Sequence, residues 1–272
     1  MLKNKLISYS VLFAAILALT GCGGLAVERS LNTKSWGYKK VLSPEPVRAG
    51  DKSQRFEVRK GDCSDDPGWN DCNMDRERSE IKVLNNFYPE SDMWFSWSFY
   101  LPEDYKSAER VTTTIGQIHQ RGVVGGLTST AQGMPSFPPV LQFRTIGNSF
   151  GATYHRLIRN ESTLVDKGEF EKITTVDALR GKWTDVVVHF RPTKENGILE
   201  IYINGKLERT IENSMLIRPD NFYLKYGIYR SFVSKEHPNI MPTQIVYFDE
   251  VRMGKSRMDV DAQLNPQLKP VD

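Results

Sequence analysis

Three short stretches of this chain space chemistry-bearing side chains two residues apart. In "IGQIHQ", Gln117 and His119 alternate with Ile118; in "RERSEIKV", Arg78, Glu80 and Lys82 alternate with Ser79, Ile81 and Val83. In "FYLKYGIYR", Tyr223, Lys225, Gly227 and Tyr229 alternate with Leu224, Tyr226 and Ile228. Successive side chains of a β-strand point to opposite faces, so each stretch predicts one polar face backed by a mostly apolar one. The same rule puts Ile115 on the face of Gln117 and His119. If the three strands share a sheet, their polar faces merge into one patch.

Such a patch suits a reaction that loads negative charge onto a carboxylate. Arg78 is a permanently charged fork matched to carboxylates, and Gln117 adds a neutral amide donor. His119 and Tyr229 can give and take protons when neighbouring charges tune them. Paired carboxylates, which glycoside hydrolysis needs, are missing: Glu80 stands alone on these strands. β-Elimination across a 4-linked uronic acid fits better, because it must neutralise a carboxylate, remove the C5 proton and protonate the leaving O4. Donors aimed at developing charge contribute about 3–4 kcal/mol each, and a positioned acid or base about 10²–10⁴-fold.

The remaining histidines are weaker candidates. His189, in the apolar "DVVVHF", reads as a core or supporting residue; His237 reads as loop surface; either His155 or the alternating Tyr154 and Arg156 faces the cleft. No two histidines have metal-ligand spacing, which argues against catalytic zinc. Gln142 and Arg144 in "VLQFRT" share a face and are candidate substrate-binding residues, together with Glu80, Lys82 and Tyr223. The Gly-, Ser- and Pro-rich run from Gly122 to Pro139 is long enough to be a lid over the cleft.

Turning to the elements that must position these groups, the chain opens with Lys3 and Lys5, an apolar run from Val11 to Leu19, and Leu19-Thr20-Gly21-Cys22. That is the pattern of a bacterial lipoprotein signal, with residues 1–21 removed and Cys22 lipidated. It predicts anchoring to a bacterial membrane, with Gly23 favouring the outer one. Residues 22–45 then read as a tether, and 46–272 as a single domain. Losing the two leader lysines lowers the formal charge from +3 to +1, so no general field attracts nucleic acid. A polyanion would have to be held locally, and a monomer is expected.

Cys63 and Cys72 remain, and in an exported protein they predict a disulfide that closes a short loop. That loop also carries Asp62, Asp65, Asp66, Asp71 and Asp75. These oxygens could gather a structural Ca²⁺, although a solvated acidic turn is the preferred reading; no cofactor is required for the chemistry. Beyond the loop, short alternating stretches such as "MWFSWSFYLP" put Phe95, Trp97, Phe99 and Leu101 on one face, and Asn204-Gly205 signals a type I′ hairpin. Many short strands with little helix predict an all-β, two-sheet concanavalin-like jelly-roll sandwich, one sheet of which offers a concave polar cleft.

The three stretches also carry a resemblance. "RSEIK", "QIH" and "YLKYGIY" are similar, in that order, to the signature strands of jelly-roll polysaccharide lyases of the alginate lyase type. "KGDC…DRERSE" and "GKWTDVVVHFRPTKENGILEIYINGK" look closer to the heparin lyase I and glucuronan lyase branch, and the similarity spans about residues 50 to 255. The resemblance implies that Arg78 and Gln117 neutralise the uronate carboxylate and that His119 and Tyr229 handle the protons. Lys225 would balance charge or lower the Tyr229 pKa. His119 is assigned as base and Tyr229 as acid; in a syn elimination Tyr229 could do both. Tyr226, Arg230 and Ser231 depart from the alginate lyase pattern, which leaves the polymer open among heparin or heparan sulfate, glucuronan and alginate. The rival readings are a non-catalytic glycan-binding module on the same sandwich and a concanavalin-like glycoside hydrolase.

Overall fold

The computed structural model describes residues 25–31, 34–66, 69–121, 138–160, 163–193, 196–212, 221–237 and 239–272. Two antiparallel seven-stranded sheets face each other. The first runs in the order β1 (Val27–Leu31), β6 (Arg76–Val83), β15 (Asn221–Ser231), β8 (Thr112–Arg121), β9 (Leu141–Ile146), β10 (Ser149–Asn160) and β11 (Thr163–Thr175). The second runs β14 (Lys206–Glu212), β13 (Ile198–Ile203), β12 (Trp183–Arg191), β7 (Met93–Tyr100), β16 (Gln244–Gly254), β3 (Lys52–Val58) and β2 (Tyr38–Leu42). A two-stranded ribbon, β4 (Asp65–Asp66) with β5 (Trp69–Asn70), lies in the cysteine loop. This is the jelly-roll sandwich expected from the sequence.

Alternation explains the core. Phe95, Trp97, Phe99 and Leu101 are all buried between the sheets, against Ile81, Val83, Ile118, Leu224 and Ile228 from the apolar faces of the first sheet. Edge-to-face aromatic pairs such as Trp97–Phe143, at 5.2 Å, and Phe56–Tyr226, at 5.8 Å, tie the layers. Each fully buried aromatic contributes about 1.5–3 kcal/mol relative to exposure. The Asn204-Gly205 turn joins β13 to β14 with both residues at positive φ, 49° and 80°, as a type I′ turn requires.

One boundary differs from expectation. The stretch read as a tether, 22–45, contains β1, paired to β6, and β2, paired to β3. Both are edge strands, and their exposed charges, Lys39 and Lys40 on β2 among them, are the device that blunts an edge. A charged edge strand looks like solvent-facing coil in a sequence. The folded unit therefore begins by residue 27.

Candidate active site

The face of the first sheet turned away from the core carries the polar stretches in register. Tyr229 of β15 lies opposite Arg78 of β6 and Thr114 of β8. Lys225 lies opposite Lys82 and Gln117, Tyr223 opposite His119, and Gln117 opposite Gln142 of β9. Gly227, opposite Glu80, adopts φ 128°. A Cβ there would come within 2.4 Å of the Ser79 carbonyl oxygen, so only glycine lets the strands close over Glu80.

A bulge corrects one expectation. Register shifts between Thr114 and Gly116, and Ile115 is fully buried in the core instead of sharing the face of Gln117. Gly116 also faces inward, where a Cβ would meet the Trp97 ring at 2.7 Å. An extra residue lets two consecutive side chains take one side. Thr114 and Gln117, three apart, thereby both reach the polar face.

Glu80, only 1 % exposed, is the hub. Its carboxylate accepts from Gln117 Nε2 at 2.6 Å, from Lys225 Nζ at 2.5 Å and from Arg78 at 3.4 Å. Arg78 is also forked by Asp71, with Nε and one terminal nitrogen donating at 2.5 and 2.6 Å. Burial works against the Arg78 cation, but Glu80 and Asp71 outweigh it and hold the charge in place. Burial pushes the Lys225 ammonium below its ordinary pKa, with Glu80 opposing. Gln117 Oε1 is buried and, among the described residues, has no hydrogen-bond partner.

The proton-handling groups lie at either end of that hub. Tyr229 Oη accepts from Arg76 Nε at 3.1 Å, and the Arg78 guanidinium sits 4.6 Å from the centre of its ring. Burial raises the Tyr229 pKa above its ordinary value, with Arg78 and Arg76 opposing, so at neutral pH the phenol holds its proton. His119 stacks on Tyr223 with ring centres 5.1 Å apart. Its Nδ1 accepts from the Gln120 amide at 2.9 Å and lies 3.0 Å from the Gln120 carbonyl oxygen.

A model of the polysaccharide lyase family matches residues 28–252 of the chain. The chain belongs to the polysaccharide lyase family. This lyase is similar in fold to an endo-β-1,4-glucuronan lyase from the fungus Trichoderma reesei, with a TM-score of 0.66 at 16% identity over 88% of this chain and 93% of that one. It is also similar to an alginate lyase from Klebsiella pneumoniae, with a TM-score of 0.52 at 10% identity over 80% and 84%. Comparison with curated protein sequences gives no match.

Of the residues singled out in the sequence, the lyase brings Arg78, Glu80, Gln117, His119, Tyr223, Lys225 and Tyr229 onto one face. Gln142 and Arg144 extend it: Gln142 Oε1 meets Arg144 and His155 Nε2, and its amide nitrogen donates to Thr114 Oγ1 at 3.1 Å. His155 therefore faces the polar side, while Tyr154 packs against the core. Lys82 pairs with Glu28 at 2.9 Å. His189 belongs elsewhere, on the second sheet between Asp92 and Glu200, and His237 is exposed.

The cysteine loop holds the predicted Cys63–Cys72 disulfide, and three of its acids bond to groups within the protein. Asp71 grips Arg78; Asp62 accepts from Trp36 Nε1 and the Arg59 amide, each at 2.8 Å; Asp75 accepts from Ser234. Among the described residues no cluster of three metal-ligating side chains forms. The side chains of Asp65 and Asp66, Cys22, and residues 122–137 of the expected lid lie outside the described residues. Arg76 escaped the sequence reading. Its signal was present, since it stands two residues before Arg78 in "RERSE" and so shares its face.

Proposed function

We propose that this lyase cleaves a 4-linked uronic-acid polymer by β-elimination, with Gln117 and the surrounding cations holding the uronate carboxylate, His119 as base and Tyr229 as acid. The observation that carries the reading is the layered register of the polar face. Tyr229 with its arginines stands at one end, the Gln117–Glu80–Lys225 layer in the middle, and His119 at the other. A sugar seated over the middle layer would meet a protonated phenol from one side and an imidazole from the other. Gln117 Nε2 donates one hydrogen to Glu80 and has a second for the substrate carboxylate.

In this scheme His119 takes the C5 proton, and the C5–H electron pair forms the C4=C5 double bond. The C4–O4 bond breaks, and O4 leaves with the proton of Tyr229. Arg76, Arg78 and Lys225 outnumber the carboxylates Asp71 and Glu80 among them, which favours an anionic sugar and the charge that develops on it. Hydrolysis has no support here, because both carboxylates are tied to cations and neither can serve as acid or nucleophile.

Incubation with glucuronan, alginate, heparin and heparan sulfate, followed by absorbance of the unsaturated uronate, tests the reading. The glucuronan lyase neighbour makes glucuronan the first polymer to try. An absorbance rise is expected on at least one polymer; binding with no rise on any would overturn the proposal. The leader further supports lipid anchoring at Cys22 in the outer membrane, checked by labelled fatty acid incorporation that a Cys22→Ser variant should lose.

A further inference from the structure

We propose that Arg76 is a positioning residue that sets the proton-donating power of Tyr229, an inference that rests on the β-elimination reading above. Arg76 is 4 % exposed, and its Nε donates to Tyr229 Oη at 3.1 Å. A terminal nitrogen donates to the Asp75 carbonyl at 3.0 Å, and the guanidinium lies 4.0 Å from the centre of the Phe232 ring. Among the described residues no carboxylate forms an ion pair with it. Its buried neighbours differ: Arg78 is forked by Asp71, and Arg230 pairs with Glu77. A buried guanidinium without a counter-ion is costly until an anion joins it. The phenolate left when Tyr229 gives its proton to O4 is the anion placed to do so.

The backbone around Arg76 is strained to hold it there. Asp75 and Phe232, neither a glycine, adopt left-handed φ values of 61° and 62°. The Asp75 carbonyl accepts the Phe232 amide at 3.0 Å, and the Asp75 carboxylate accepts from the amide and hydroxyl of Ser234 at 2.8 and 2.7 Å. This turn sets the Phe232 ring against the guanidinium. Strain of this kind persists where the surroundings enforce it, commonly beside reacting groups. The other charged groups facing the phenol are Arg78 and Glu80 on β6, Lys225 on β15 and Asp71 on the disulfide loop. Arg78 and Lys225 are tied to those carboxylates, so the field of Arg76 at the phenol is the least cancelled.

The test uses the full chain and the variants Arg76→Met and Arg76→Lys, each with and without Tyr229→Phe. Ultraviolet difference titration isolates the Tyr229 phenol. Its pKa is expected to rise by about one unit or more in Arg76→Met, and less in Arg76→Lys. On a cleaved polymer kcat should fall about 10–100-fold with KM nearly unchanged, and the alkaline limb of the pH profile should move to higher pH. Arg76→Gln, which removes the charge and keeps a polar side chain, should shift the phenol in the same direction and serves if Arg76→Met fails to fold. An unshifted phenol overturns the proposal, as does a raised KM with kcat and phenol intact, which would make Arg76 a substrate-binding group. If the wild type releases no unsaturated product from any polymer, the β-elimination reading fails alone, and the titration still decides whether Arg76 controls the phenol.

Discussion

The outer faces of the two sheets both bury ionised groups, and they settle them differently. On the second sheet, Arg48 donates twice to Asp185, which also accepts from Ser98 and Gln263. His189, stacked 4.2 Å from Trp94, has a carboxylate at each ring nitrogen, Asp92 at 2.6 Å and Glu200 at 2.9 Å. Arg48 there meets its anion within the fold, and His189 lies between two carboxylates. On the first sheet Arg76 has a phenol in place of a carboxylate, and the Gln117 oxygen is left unmatched. Matched charges hold the second face together, and under the proposed function the surplus on the first is met by the substrate.

The sharpest way to break this contrast is Tyr229→Phe, which removes one hydroxyl from the surplus face. Turnover measured by unsaturated-product absorbance should fall about 10²–10⁴-fold with little change in the unfolding midpoint; a fully active variant would remove Tyr229 from the mechanism. A matched pair of substitutions comes next. Glu80→Ala strands the buried Arg78 and Lys225 and should destabilise by about 3–5 kcal/mol in urea unfolding, whereas Asp185→Ala strands the partly exposed Arg48 and should cost about 1 kcal/mol. Only Glu80→Ala should also lower kcat of the folded fraction, and equal losses from both would erase the distinction.

A third test asks how the surplus face is shaped. Replacing Cys63 and Cys72 with Ser should cost about 2–4 kcal/mol of stability and reduce kcat, because Asp71, next to Cys72, would lose its fixed grip on Arg78. Unchanged kcat would mean the loop holds Asp71 without the disulfide. The smallest effect lies on the second sheet, where burial raises the Asp249 pKa from 3.8 to about 6 against three backbone N–H donors. The native state then binds more protons than the unfolded chain between those values, so this residue's contribution to stability falls as pH rises from 3.8 to about 6. Asp249→Asn should flatten that slope in unfolding measured across pH and leave turnover unaltered.

Alternation made much of this legible in the sequence. The three polar stretches, the core face of β7 and the Asn204-Gly205 turn follow from a period of two and from turn chemistry. What escaped was whatever breaks the period or depends on partners distant in the chain. The bulge at Ile115 is invisible to alternation. The fork of Asp71 on Arg78 joins a loop to a strand, and nothing in an acidic turn distinguishes a carboxylate aimed at an arginine from one aimed at a metal ion. Arg76 was readable from its parity, but only the contact with Tyr229 gives it a role. Edge strands β1 and β2 were hidden by the charges that keep such edges from pairing further.

The placement of β1 bears on how a polymer could reach the site. Val27 follows Cys22 by five residues, a reach of roughly 17 Å at full extension. With a lipid on Cys22, as the leader predicts, β1 becomes a short mooring, and the strand beside it in the sheet is β6, which bears Arg76, Arg78 and Glu80. The edge of the catalytic face would then ride close above the bilayer. A long polysaccharide would have to slide in alongside the membrane, and short, already trimmed chains would be the easier cargo.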